Sequence, residues 1–273
     1  MIELKDIGIT FHAGTPDENT ALKNINLKIN QGDFITVIGS NGAGKSTLYN
    51  IIAGTLTPTV GNIYLDEIKE DGSVAKKEIT NDAEYKRAAY IGRIFQNPLL
   101  GTAGKMSLED NMIICSKKGW HGLRISLNKK KREEFKEQLK QLNMGLEERL
   151  NDNVELLSGG QRQALTLLMS VLSKPALLLL DEHTAALDPA TAEKVLELTR
   201  RIVAQRRLTC LMITHNMQCA LSMGSRTIIM DSGRISLDVS GAEREAMTVE
   251  QLLGRFRENA GKTLVSDRML LVR

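Results

Sequence analysis

Gly39-Ser40-Asn41-Gly42-Ala43-Gly44-Lys45-Ser46-Thr47 is the stretch whose residue types and spacing point most directly to chemistry. The apolar run Phe34-Ile35-Thr36-Val37-Ile38 before it reads as a buried strand. After it, Leu48, Ile51 and Ile52 fall at i, i+3, i+4 on one helical face, which Gly54 ends. A glycine loop that hands a strand over to a helix aims backbone N–H groups and the positive helix end at an anion. Gly39 lets the backbone turn, and Gly42 and Gly44 let it wrap closely round a phosphate. Lys45 would reach the β- and γ-phosphates of a nucleotide, and the Ser46 hydroxyl would ligate Mg²⁺. Ser40, Asn41 and Thr47 complete the expected phosphate contacts. The alternative is a chance glycine-rich turn, against which the strand and helix flanks argue. The loop alone does not say what the bound energy is for.

Groups that could act on a bound phosphate follow other apolar runs. Leu177-Leu178-Leu179-Leu180 ends in Asp181-Glu182. In an open parallel sheet, ligand groups collect at the carboxyl ends of strands. Asp181 is placed to hold Mg²⁺, directly or through water. Glu182 could contact an in-line water and accept its proton, a task worth roughly 10²–10⁴-fold in rate. A plain strand exit is the structural alternative. His215, after Ile213-Thr214, could hydrogen-bond the γ-phosphate or be a structural histidine. Gln96 ends its own strand before Asn97-Pro98, and its amide oxygen could reach Mg²⁺. Leu157-Ser158-Gly159-Gly160-Gln161 makes a second anion cradle from a hydroxyl, two glycines and a helix start. A chain with two phosphate-binding surfaces can cover a partner's nucleotide with its second one.

The elements that must position these groups read as follows. Residues 2–11 and 21–29 alternate as half-buried strands, and 63–68 extends that antiparallel part. Residues 69–84 read as a solvated loop, and Tyr90–Phe95 as a strand. From 97 to 154 the character turns helical. Phe135, Leu139 and Leu142 share a narrow face at i, i+4, i+7 within a charged run. Lys129-Lys130-Lys131-Arg132 could be a nucleic-acid patch, but reads better as a solvated helix start with charge pairs. Leu165, Leu168, Met169 and Leu172 mark a helix after the second cradle. Val195, Leu198 and Ile202 mark another. Residues 225–239 read as a hairpin about Asp231-Ser232-Gly233, and Thr248-Val249-Glu250-Gln251 as a capping box. Residues 259–273 form a mixed tail with no readable role. Strand–helix alternation with buried strands gives an α/β fold with a mostly parallel core sheet, an antiparallel β subdomain and a helical subdomain. There are no internal repeats.

Composition narrows the function classes. Among 273 residues, 36 basic and 33 acidic side chains leave a net charge of +3, which gives no reason to expect nucleic acid as a partner. Aromatic residues at 4% argue against a base-stacking surface. Cys115, Cys210 and Cys219 form no ligand cluster and suit a reducing compartment. The first residues are mixed and polar, so no signal peptide is expected. No apolar run approaches the roughly 20 residues of a membrane span.

The stretch at 157–161 resembles the signature of ATP-binding cassette (ABC) proteins, and residues 2–240 match that family's motif order. The resemblance makes 39–47 the Walker A loop of a P-loop NTPase, Gln96 the Q-loop residue and 177–181 Walker B. Glu182 becomes the catalytic carboxylate, Ala186-Leu187-Asp188 the D-loop and His215 the switch histidine. Phe11 matches the aromatic that stacks on adenine; a core phenylalanine is the alternative. The resemblance implies a homodimer, head to tail, in which Ser158, Gly159, Gly160 and Gln161 of one chain meet the ATP held by the other. His183 stands where many members have proline, and Ala185 where serine is frequent. A structural role for His183 is the preferred expectation over nucleotide contact. The run 181–189 is similar to bacterial uptake ATPases that work with a branched-chain amino-acid-type permease and a separate solute-binding protein.

The expectation is therefore a single nucleotide-binding domain over 1–273. Residues 1–96 and 155–240 form its core, 97–154 its helical part and 241–273 a terminal helix and tail. It would sit peripherally on the cytoplasmic face of the cell membrane and bind integral-membrane permease subunits. The segment Leu99 to Asn111, with Met106, Leu108 and Asn111, is the expected permease contact. ATP hydrolysis would drive import of a small organic solute such as an amino acid. An exporter or lipoprotein-release ATPase shares every motif. A soluble ATPase acting on ribosomes or DNA is disfavoured by the single cassette and the lack of a basic face.

Overall fold

The computed structural model describes residues 1–68, 73–116 and 128–259. In chain order its strands and helices are β1 (Ile2–Phe11), β2 (Asn19–Ile29), β3 (Phe34–Gly39), α1 (Lys45–Ala53), β4 (Val60–Ile68), β5 (Val74–Glu78), α2 (Glu84–Arg87), β6 (Ile91–Ile94), α3 (Leu108–Ser116), α4 (Lys129–Lys140) and α5 (Gly159–Leu172). Then follow β7 (Leu177–Asp181), α6 (Pro189–Arg206), β8 (Cys210–Ile213), α7 (Met217–Met223), β9 (Arg226–Asp231), β10 (Arg234–Ser240), α8 (Gly241–Glu245) and α9 (Val249–Asn259). The chain divides into two compact units, Met1–Ala88 with Thr209–Arg273, and Ala89–Leu208.

In the first unit, β1 runs antiparallel to both β2 and β4, and β4 to β5. The register sets Ile2 opposite Ile29, Leu4 opposite Leu27, Ile7 opposite Ile25 and Ile9 opposite Leu22. All eight side chains are buried. Each contributes roughly 1.5–3 kcal/mol by leaving water, so a one-residue slip would turn the whole apolar face outward. Strand β3 is buried along its full length and lies parallel to β8 and β9. Helices α7 and α9 cover it through Met217, Ala220, Leu252 and Phe256, packed with Ile38 and Ile229. The β9–β10 hairpin turns on Ser232 and Gly233, both at positive φ (47° and 80°), as a tight two-residue connection requires.

Residues 69–84 correct the sequence reading of a loop. Val74–Glu78 is an edge strand paired with β4, and Glu84–Arg87 is a helical turn. Lysines on an exposed edge strand guard it against pairing with other chains, and that charge hid its strand character. Residues 69–72 lie outside the described residues. So does nearly all of the expected tail, since α9 runs to Asn259.

In the second unit β6 and β7 are parallel. Helix α5 buries Leu165, Leu167, Leu168 and Met169, and α6 buries Val195, Leu198 and Ile202. The narrow face of α4 is fully packed, with Phe135 and Leu139 at 0% exposure. Its charged residues pair at i,i+3, Lys131 with Glu134 and Lys140 with Glu137, while Arg132 reaches Glu109 on α3 at 2.7 Å. The basic run is thus a solvated helix start. The α/β class, the parallel core strands and the antiparallel part agree with the sequence expectation.

Candidate active site

The loop at 39–47 sits in the first unit, between β3 and α1. Its glycines serve two purposes. A Cβ on Gly39 would stand 2.3 Å from the Met230 carbonyl oxygen, and one on Gly44 would stand 2.7 Å from the Ala21 oxygen. Those two are glycine because neighbouring backbone leaves no room. Gly42 has open space about it but a φ of +80°, so its requirement is conformational. Lys45 as a residue is 6% exposed, and its ammonium donates to the carbonyls of Gly39 (2.8 Å) and Ser40 (2.9 Å). No side chain caps the N-terminus of α1, whereas Ser158, Asp188 and Asn216 cap α5, α6 and α7. The N-terminus of a helix is the end that favours an anion. Asn41 and Ser46 are exposed; Ser40 and Thr47 are half-buried. Phe11, also half-buried, ends β1 opposite Asn19. His215 lies half-buried between β8 and α7, directly before the Asn216 cap.

The acidic pair belongs to the second unit. Asp181 ends β7 and Glu182 follows with φ 44°, a left-handed backbone. Gln96 Nε2 lies 3.4 Å from Glu182 Oε2, so the structure brings these two expected site residues together. The next residue, His183, is 3% exposed and bonds Thr199 on α6 through Nε2 at 3.0 Å. Burial holds its pKa down at about 4, so the ring is neutral. This matches the structural role expected for it.

Ser158 caps α5 in a reciprocal box. Its hydroxyl accepts from the Gln161 N–H at 3.3 Å, and the Gln161 side-chain oxygen accepts from the Ser158 N–H at 3.2 Å. Gln161 Nε2 donates to the Met144 carbonyl at 3.3 Å, so its amide builds the cradle's frame. A Cβ on Gly160 would stand 2.3 Å from Thr191 Cγ2, so α6 starts in direct contact with the cradle. Asp188 caps α6 by accepting from the Thr191 N–H at 3.1 Å. The Thr191 hydrogen bonds hold its carboxyl below the usual carboxylate range. A cavity of about 460 Å³ opens beside Ser158, Gly160 and Gln161, walled by Thr191, Lys194 and Arg201.

Two residues expected at the permease contact are elsewhere. Leu108 is 0% exposed, and Asn111 is buried. The Asn111 amide accepts from the Ala103 N–H and donates to the carbonyls of Ala103 and Ser107, pinning the turn before α3. Leu99, Leu100 and Met106 are the exposed members of that segment. Arg87 and Thr199 escaped sequence reasoning. Their partners are backbone carbonyls and a histidine far along the chain, which leave no local pattern.

A family model described as "ABC transporter" matches residues 22–185. The chain belongs to that family. This ABC protein is 41% identical over 259 residues to a tyrosine transport ATP-binding protein of Clostridioides difficile, covering 94% of this chain and 98% of that one. It is 31% identical to a phosphonates import ATP-binding protein of Oceanobacillus iheyensis, over 93% of this chain and 95% of the relative. It is also 31% identical to a methionine import ATP-binding protein of Streptococcus agalactiae, over 91% of this chain and 68% of the relative. Among solved structures, a dimeric ATP-binding cassette in a post-hydrolysis state with ADP and Pi has a TM-score of 0.69 and 28% identity, covering 88% of this chain and 98% of that one. The ABC chain is an ATPase and an ATP-binding subunit of a membrane transporter. Such subunits work with membrane permeases; no helix among the described residues of this one is long and apolar enough to cross a membrane.

Proposed function

We propose that this ATPase drives import of an amino acid through a permease of separate chains. The observation that carries this reading is the 41% identity to a tyrosine transport subunit, sustained over nearly the full length of both chains. The methionine and phosphonate relatives are named as import subunits, which favours import over the export and lipoprotein-release alternatives. A separate solute-binding protein would deliver the amino acid, and the ATPase would lie peripherally on the cytoplasmic face of the membrane. All of 1–273 would act as one nucleotide-binding domain.

In this reading Lys45, the α1 N-terminus and Ser40, Asn41, Gly42, Gly44 and Thr47 hold the ATP phosphates. Phe11 lies against the adenine. The expected metal donors are the exposed Ser46 hydroxyl, the Asp181 carboxylate and the Gln96 amide, all hard oxygens. No group of three His, Cys, Asp or Glu among the described residues could hold an ion alone. A single carboxylate with neutral oxygen donors suits Mg²⁺, which is held by one or two carboxylates together with substrate phosphate and water. When bound, Mg²⁺ would neutralise charge on the transferring phosphoryl group. Glu182 accepts the proton of the attacking water, and His215 hydrogen-bonds the γ-phosphate. Ser158, Gly159 and Gly160 of one copy close on the nucleotide of the other, as Asp188 and Thr191 keep the cradle in shape. The dimeric cassettes among the solved relatives support that arrangement.

The test is reconstitution of the chain with its permease and binding protein in vesicles supplied with ATP. Uptake of a labelled amino acid, dependent on ATP and on the binding protein, is the expected result. ATP hydrolysis with no uptake of any of the common amino acids would reject the amino-acid reading.

A further inference from the structure

Glu182 occupies a left-handed backbone conformation, φ 44°. For a residue with a Cβ that geometry costs about 1–2 kcal/mol and persists only where surroundings enforce it. The Glu182 carbonyl accepts from the Ala185 N–H at 2.9 Å, which closes the turn. The His183 side chain then anchors the turn to α6. Its Nε2 lies 3.0 Å from Thr199 Oγ1, and both residues are buried.

The proton arrangement is decided by Thr199. Its hydroxyl has one hydrogen, and it donates that to the Val195 carbonyl at 2.8 Å. Toward His183 it can only accept, so His183 carries its hydrogen on Nε2 and leaves Nδ1 unprotonated. Helix α6 is 18 residues long and packs through Val195, Leu198 and Ile202, so Thr199 is a rigid reference point. A ring that is 3% exposed cannot itself meet a nucleotide. Its effect must pass through the backbone to the residue before it, whose carboxylate lies 3.4 Å from Gln96 Nε2.

We propose that His183, held by Thr199, is a positioning residue that fixes the turn at Glu182 and so aims the Glu182 carboxylate. The proposal rests on the reading of Glu182 as the catalytic base. A base displaced by about an ångström loses on the order of 10²-fold, which sets the scale of effect.

The experiment measures ATP hydrolysis by the full-length chain assembled with its permease. His183→Leu removes the donor, and Thr199→Val removes the acceptor at nearly constant volume. Each should lower kcat about tenfold or more while KM for ATP stays within about twofold. His183→Gln places an amide donor near the Nε2 position, and Thr199→Ser keeps the hydroxyl; both should retain most of the wild-type kcat. Unfolding midpoints are measured for all four. A lower midpoint for Thr199→Val or His183→Leu with wild-type kcat per folded molecule is the result of a merely structural bond, and overturns the proposal. Loss of kcat equal in His183→Gln and His183→Leu also overturns it. Should Thr199→Val fail to fold, the His183 pair decides. Glu182→Gln is assayed in parallel. If it abolishes turnover while His183→Leu does not, positioning fails and the base assignment stands. If Glu182→Gln turns over normally, the base assignment fails and the proposal with it.

Discussion

The Lys45 ammonium donates to the carbonyl oxygen of Gly39 at 2.8 Å, so the cation at the start of α1 is folded over its own loop. Lys45 as a residue is 6% exposed, its ammonium also bonds Ser40, and a compact ammonium fits there. If Lys45 holds phosphate as proposed, Lys45→Ala should weaken ATP binding at least about tenfold by removing that charge-assisted contact. Lys45→Arg should not rescue, because a planar guanidinium does not reproduce a compact ammonium donating to the Gly39 and Ser40 carbonyls. Titration with a fluorescent ATP analogue measures both. Unchanged affinity in the alanine variant would remove Lys45 from phosphate binding.

Ser158 is an exposed cap residue beside the cavity at the start of α5. Ser158→Arg should abolish ATP-driven dimer formation by adding bulk to that face. The lost cap should lower stability by only about 1 kcal/mol. Size-exclusion chromatography with ATP, in a Glu182→Gln background that slows hydrolysis, follows the dimer. A dimer of normal yield would contradict the covering role of the second cradle.

Arg87 is 1% exposed and donates to five backbone carbonyls, those of Ile51, Ile52, Ile79, Thr80 and Asp82. Two of these are at the C-terminal end of α1, where a cation also complements the helix dipole. Arg87→Met should lose about 3–5 kcal/mol of stability by leaving those carbonyls without donors. Arg87→Lys should recover only part, because one ammonium cannot span all five. Urea unfolding of the variants checks the order.

His183 gives a pH dependence whose sign can be worked out. Burial holds its pKa at about 4, below the ordinary 6.5. The unfolded chain therefore takes up a proton that the native ring refuses. Stability from this residue is complete above pH 6.5 and is lost as pH falls toward 4, reaching a deficit of roughly 2 kcal/mol near pH 5. His183→Gln cannot titrate and should lack that component. Urea unfolding at about pH 7.5 and about pH 5 compares the two. Equal losses in both proteins would show that the ring is not kept neutral.

Much of the fold was legible because the apolar pattern carries it. The alternation in β1 and β2, the helical face at 165–172 and the hairpin about Ser232 each have a local signal. The candidate site was legible at Gly39–Thr47, Asp181–Glu182 and Ser158–Gln161 for the same reason: each motif is one continuous stretch. Long-range partners were not. Gly44 reads as a phosphate contact, but its lack of a side chain is also demanded by Ala21. Asn111 reads as part of the permease contact, but its amide is consumed by carbonyls within eight positions. The charges of Lys76 and Lys77 masked an edge strand. The left-handed Glu182 leaves no trace in residue type at all.

The two units are unequal in how they are written along the chain. The second is one continuous stretch, Ala89–Leu208, whereas the first joins Met1–Ala88 to Thr209 onward. Strand β3, which leads into the loop at 39–47, pairs with β8 and β9, and those begin at Cys210 and Arg226. On a ribosome, synthesis reaches 5–20 residues per second, and β3 must wait on the order of ten seconds for its neighbours. Through that interval a strand that is buried along its whole length in the finished fold is without them. The later-made unit can finish first, and the loop at 39–47 gains its fixed shape only as the last quarter of the chain emerges. A truncation within β8 or β9 would therefore disable the loop at residue 39 as surely as a mutation there.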